Sequence, residues 1–183
     1  TVVNLAASLA LSGLKVLAID ADPQGNATSG LGINKADIGG AKGKPTLYDV
    51  LINDIPARDA LLATEIPGLD LLPSHIELAG AEPELTVRMA RETVLKRALE
   101  PIADNYDWIL MDAPPSLGLL TINVLTAAQR AFVPIQSEYY ALEGVSQLVR
   151  TVELVRRNLT PSLEIAMVIL TMVDPRVRSA QQV

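Results

Sequence analysis

The sequence predicts an α/β fold, a mainly parallel sheet with helices on both faces. Three observations carry this. Apolar residues make up 49% of the chain and aromatics only 3%, so Ala, Leu, Val and Ile must fill the core, as in sheets buried on both sides. Short apolar runs alternate with helical patterns along the whole length. Two of those runs end in an aspartate, Ile19-Asp20 and Met111-Asp112. Open α/β sheets bind ligands beyond the carboxyl ends of their strands, where such residues lie.

The elements follow in order. "TVVNLAASLALSG" reads as a helix, apolar on most sides and closed by Gly13 as a left-handed cap. "LKVLAID" is a buried strand. Residues 30–45, rich in Gly and Lys, read as a surface loop. "TLYDVLIND" is a short helix with Thr46 as N-cap and Asp49 three residues on. "GLDLLPS" is a strand. "EPELTVRMARETVLKRALEPIADNY" predicts one helix, with Leu85, Met89, Leu95, Leu99 and Ile102 as its apolar stripe. "DWILMDAPPS" is a strand, "LGLLTINVLTAAQ" a helix and "RAFVPIQ" a strand. "LEGVSQLVRTVELVRRNL" is a helix with Val145, Leu148, Val152 and Val155 on one side, and "LEIAMVILTMVD" is a last strand.

A βαβ unit needs a strand before the helix that begins at Thr1. The expectation is therefore a single partial domain over residues 1–183, with the first strand and its following loop upstream.

Composition excludes several classes. With no cysteine there is no disulfide scaffold, thiolate zinc site or Cys-ligated iron–sulfur cluster, and a cytoplasmic setting fits best. No apolar run approaches the ~20 residues of a membrane span, and no secretory signal pattern is seen. A formal charge of −6 argues against whole-surface attraction to nucleic acid and leaves a local basic patch open. The single histidine, His75, cannot build a His-rich metal site and reads as a loop residue. Trp108 reads as core, and Lys42 and Lys44 as solvated.

The aspartates carry the chemistry. Asp112, after Trp108-Ile109-Leu110-Met111, has the form of a Walker B residue that holds Mg²⁺ directly or through water. Its other reading is a cap on the Pro114-Pro115-Ser116 turn. Asp20 and Asp22 are two apart and point the same way on an extended backbone, which is costly unless a cation or hydrogen bonds compensate. An Asx turn around Asp22-Pro23 is the alternative. Asp112 on a second strand tips the set toward a metal and phosphate site.

Five stretches, "DADPQGNATSGLGI", "LPSHIELAGAEPEL", "DAPPSLGLLTINVLTAA", "PIQSEYYALEGVSQL" and "ILTMVDPRVRSAQQV", strongly resemble the ParA/Soj family of deviant-Walker partition ATPases, in that family's order. The resemblance implies a P-loop NTPase-like fold and Mg-ATP as ligand, with ATP and Mg²⁺ as cofactors. The family's phosphate loop would end just before Thr1, and its adenine-flanking segment would follow Val183, so these 183 residues alone are expected to be inactive. Asp22 then matches the aspartate that positions the attacking water, and Asp112 the Mg²⁺-side residue. Gln24, Gly25 and Asn26 fall in the first switch, and Gly118 in the second. Arg176 lies near a position where the family contacts DNA, and Arg178 is its competitor. Pro175 beside them departs from the usual wording of the family.

The implied activity is an ATP-switched homodimer that binds DNA non-specifically and is stimulated by a centromere-binding partner of the ParB type. It would be cytoplasmic and nucleoid-associated, with no membrane partner. A MinD-type membrane-site ATPase on the same fold is the alternative, and "DPQGNAT" and "EYYALEG" favour the partition branch.

Overall fold

The computed structural model describes residues 1–41, 43–136 and 141–172. The chain resolves into two compact units, Thr1–Val124 and Leu125–Val183.

The first unit opens with α1 (Val2–Leu11). Gly13, at φ +90°, ends it, and the amides of Gly13 and Leu14 bond back to Ala10 and Leu9. This is the left-handed closure predicted from the sequence, in a region that glycine, lacking a Cβ, enters without a steric penalty. Strand β1 (Val16–Asp20) follows and is buried at every position. Val16 and Ala18 join Ala6 and Ala10 of α1, Leu69, Leu71 and Leu110 in one cluster. By the two-residue period of a strand, Leu17 and Ile19 face the other side, and both are fully buried too.

The sheet order is β2 (Leu62–Ala63), β3 (Leu69–Leu72), β1, β4 (Trp108–Asp112). β1 runs parallel to β3 and β4, and only the two-residue β2 is antiparallel. The register pairs Asp20 with Asp112. The parallel core is the predicted one, while β2 was too short to leave a periodic signal.

α3 (Leu47–Ile52) begins with the predicted capping box, Thr46 and Asp49 bonding reciprocally. A helix not foreseen, α2 (Asn26–Gly30), directly follows the Asp22 turn. The long helix expected over 82–106 is broken into α4 (Ala81–Thr86), α5 (Val94–Leu99) and short 3-10 turns. Ala90 sits in the left-handed region at φ +52°, and Met89, expected on the buried stripe, is 92% exposed. The cause is tertiary. Buried Asn123 accepts from the Leu95 amide (3.1 Å) and donates to the Arg91 carbonyl (2.8 Å), and Arg91 itself donates to the end of α4 at Thr86. Trp108 is also corrected: it is 37% exposed at the start of β4, the last strand in its sheet.

α6 (Leu119–Ala127) leads from the first unit into the second. There β5 (Arg130–Gln136) pairs in parallel with β6 (Glu164–Thr171), joined through α7 (Ala141–Asn158). Val152 and Val155 of α7 are buried, whereas Val145 and Leu148, read on the same side, are only half-buried. Thr160 ties the end of this crossover to the Thr126 carbonyl at 2.8 Å. Among the described residues no helix is long and apolar enough to cross a membrane.

Candidate functional site

Two parallel strands deliver two carboxylates side by side, and their environments differ sharply. Asp20 is fully buried. Its Oδ2 accepts from both the amide and the hydroxyl of Thr28, each at 2.7 Å, and its Oδ1 accepts from the Asp22 amide at 3.2 Å. Burial pushes its pKa up, and the Thr28 bonds oppose that rise. Asp20 thus takes three hydrogen bonds within the protein and pins the start of α2 to the end of β1.

Asp112 is half-buried, and among the described residues no donor meets its carboxylate. Burial raises its pKa first, and the negative charges of Asp20 and Asp22 add to this. The Asp112 main chain is fixed, since its carbonyl accepts from the Ala21 amide at 2.8 Å. Held in place, short of donors and facing a second anion, this carboxylate calls for a cation. Among the described residues no cluster of three or more His, Asp or Glu could hold a metal unaided. Mg²⁺ asks for less, because it takes one or two carboxylates and completes its shell with waters and phosphate oxygens. The residues present therefore fit Mg²⁺, which Asp112 would hold directly or through a water.

Asp22 stands one turn further on. Its Oδ1 accepts from the Gln24 amide at 2.9 Å, which is the Asx turn considered from the sequence. Its carbonyl accepts from the Gly25 amide at 2.9 Å and from the Ser74 hydroxyl at 2.6 Å. Gly25 is left-handed (φ +63°), and a Cβ there would lie 2.9 Å from Lys35 Cε and 3.3 Å from the Ser74 carbonyl. Lys35 covers this turn, donating its ammonium to the Gln24 carbonyl. Asn26 begins α2. Gly118 precedes α6, and a Cβ there would fall 2.0 Å from Glu82 Oε1. The strand register thus brings Asp20 and Asp112 side by side, with the Asp22 turn, Gly25 and Asn26 directly after β1. Arg176 and Arg178 lie outside the described residues, as does Lys42.

Sequence reasoning missed Thr28, Ser74 and Glu82. Ser74 follows β3, the neighbour of β1, so the rule about strand carboxyl ends could have found it. Thr28 and Glu82 gave no such signal: Glu82 meets Leu120 from 38 residues away, and Thr28 meets Asp20 only because the unforeseen α2 turns it back onto β1.

Comparisons with known proteins agree with the fold. A family model described as an AAA domain matches residues 1–165. The sporulation initiation inhibitor protein Soj of Bacillus subtilis is 53% identical over all of this chain, which spans 70% of that protein. The chromosome partitioning protein ParA of Caulobacter vibrioides is 49% identical, again over the whole chain and 67% of its own length. Among solved structures, cobyrinic acid a,c-diamide synthase of Mycobacterium smegmatis, crystallised with an ATP analogue and magnesium, superposes with a TM-score of 0.91. It is 38% identical, over 99% of this chain and 72% of that one.

Proposed function

We propose a nucleotide-operated DNA-partition switch for this chain, which belongs to the ParA/Soj family of partition ATPases. The complete protein binds Mg-ATP, closes as a homodimer over two nucleotides, and holds DNA without sequence preference. A ParB-type partner stimulates hydrolysis, and the dimer lets go. The cargo is a chromosome or plasmid, and the protein works on the nucleoid.

The contrast between the two strand-end carboxylates supports this reading best. Asp20 has its hydrogen bonds within the protein, whereas Asp112 is left for a cation. Mg²⁺ bound there would neutralise charge on the phosphate oxygens. Asp22 orients the attacking water, a positioning task that accounts for slow turnover whenever the turn is out of place. Gln24, Gly25, Asn26 and Gly118 form the loops that respond to the γ-phosphate. Arg176 and Arg178 supply phosphate contacts that a total charge of −6 permits if they are local.

The test is Asp22→Ala in the complete protein. ATP binding is retained and hydrolysis is lost if Asp22 positions the water. Wild-type turnover in that variant would refute the assignment.

A further inference from the structure

The candidate switch residues are held from a third place in the chain. Pro73 and Ser74 directly follow β3, and Ser74 is fully buried. Its amide donates to Thr28 Oγ1 at 3.0 Å, and its hydroxyl donates to the Asp22 carbonyl at 2.6 Å. Eight residues on, in α4, Glu82 Oε1 accepts from the Leu120 amide at 3.3 Å, at the first turn of α6. The same oxygen occupies the space that a side chain at Gly118 would need. One short segment therefore touches the Asp22 turn at one end and the Gly118 turn at the other.

Between these ends Leu78 and Ala81 are fully buried and anchor the segment, while Ile76, Glu77, Ala79 and Gly80 face solvent. The Pro73 carbonyl accepts from the Leu47 amide at 2.9 Å, which ties the near end to α3. His75 faces Glu77 at 3.2 Å, and Glu77 also accepts from the Gly40 amide at 2.8 Å. Packed interiors shift between discrete arrangements rather than bending smoothly. A displacement at one end is then passed to the other.

We infer that residues 74–82 form a strap that couples the two candidate switch loops, with Ser74 and Glu82 as the positioning residues at its ends. This rests on the reading of Asp22 and Gly118 as parts of a nucleotide site. The coupling itself is a property of the nucleotide-free protein and can be read there.

Hydrogen exchange on the complete protein without nucleotide is the direct test. Glu82→Ala should speed exchange at Leu120–Ile122 and also at Gly25–Thr28, by about tenfold at each, the size expected when a local opening gains one lost hydrogen bond. Ser74→Ala should do the reverse, loosening its own end and, through the strap, the start of α6. Glu82→Gln keeps an acceptor oxygen and should restore protection at both ends. Faster exchange confined to the mutated end overturns the coupling.

Turnover of the same variants separates this inference from the functional reading. Both alanine variants should lower kcat by about tenfold, since small misplacement of a positioning group is costly, with KM for ATP unchanged. Their double variant should lose less than the product of the two. If Ser74→Ala gives no cooperative thermal transition, the Glu82 pair decides by the same exchange readout. Unchanged kcat in the strap variants, with Asp22→Ala inactive, would overturn the strap and leave Asp22 standing. Full activity in Asp22→Ala would overturn the site reading instead.

Discussion

Thr28→Val tests whether the Asp20–Thr28–Ser74 network holds the site together. Valine keeps the shape of threonine and removes only the hydroxyl, at a fully buried position. Two bonds are lost at once. Asp20 Oδ2 loses one of its two Thr28 donors, and the buried Ser74 amide loses its acceptor. A hydrogen bond to a charged group contributes ~1.5–3 kcal/mol and an orphaned buried amide costs ~1–3 kcal/mol, so the variant should lose about 2.5–6 kcal/mol.

The loss should depend on pH. The pKa of Asp20 is raised on folding, so the native state keeps this proton longer than the unfolded chain does. Stability from this group is greatest below the ordinary carboxylate pKa and falls as pH rises through the raised one. Removing the Thr28 hydroxyl, which opposes the rise, pushes the pKa higher and extends the fall upward. The deficit of the variant should therefore be smallest in acid and largest near neutrality. Urea unfolding at several pH values, with unchanged m, measures both. A deficit under about 1 kcal/mol at pH 7, or one that grows toward acid, would refute the network's role.

Other perturbations have equally definite outcomes. Gly25→Ala places a Cβ in the left-handed region beside the Ser74 carbonyl and should cost about 1–2 kcal/mol for the backbone alone; a neutral unfolding midpoint would mean that the turn relaxes freely. Asp112→Asn should raise stability without nucleotide by removing a carboxylate that burial and Asp20 penalise, while weakening Mg²⁺-dependent nucleotide binding; unchanged Mg²⁺ dependence would remove Asp112 from the metal. Arg176→Glu should weaken DNA binding and flatten its salt dependence. An unchanged slope would move that contact to Arg178 or to the part of the complete protein that follows Val183.

The sequence was most legible where local chemistry decides the structure. The Gly13 closure, the Thr46–Asp49 capping box and the buried run of β1 each depend on neighbouring residues, and each appears as read. The placement of Asp20 and Asp112 was also legible, because strands of a parallel sheet end on one side. The helix over 82–106 was not. Its periodicity was real, but buried Asn123 binds the chain at Arg91 and Leu95 from 28 to 32 residues away and forces the break. The strap escaped notice for the same reason. Ser74 and Asp22 are 52 residues apart, and only the register of β3 beside β1 brings them together.

The central claim, a nucleotide-switched grip on DNA, is tested most directly by co-sedimentation of the complete protein with DNA. It would be run with ATP, with ADP and without nucleotide, with lipid vesicles in parallel. The account predicts DNA binding with ATP alone and none to vesicles. Binding to vesicles but not to DNA, or DNA binding indifferent to nucleotide, would contradict it.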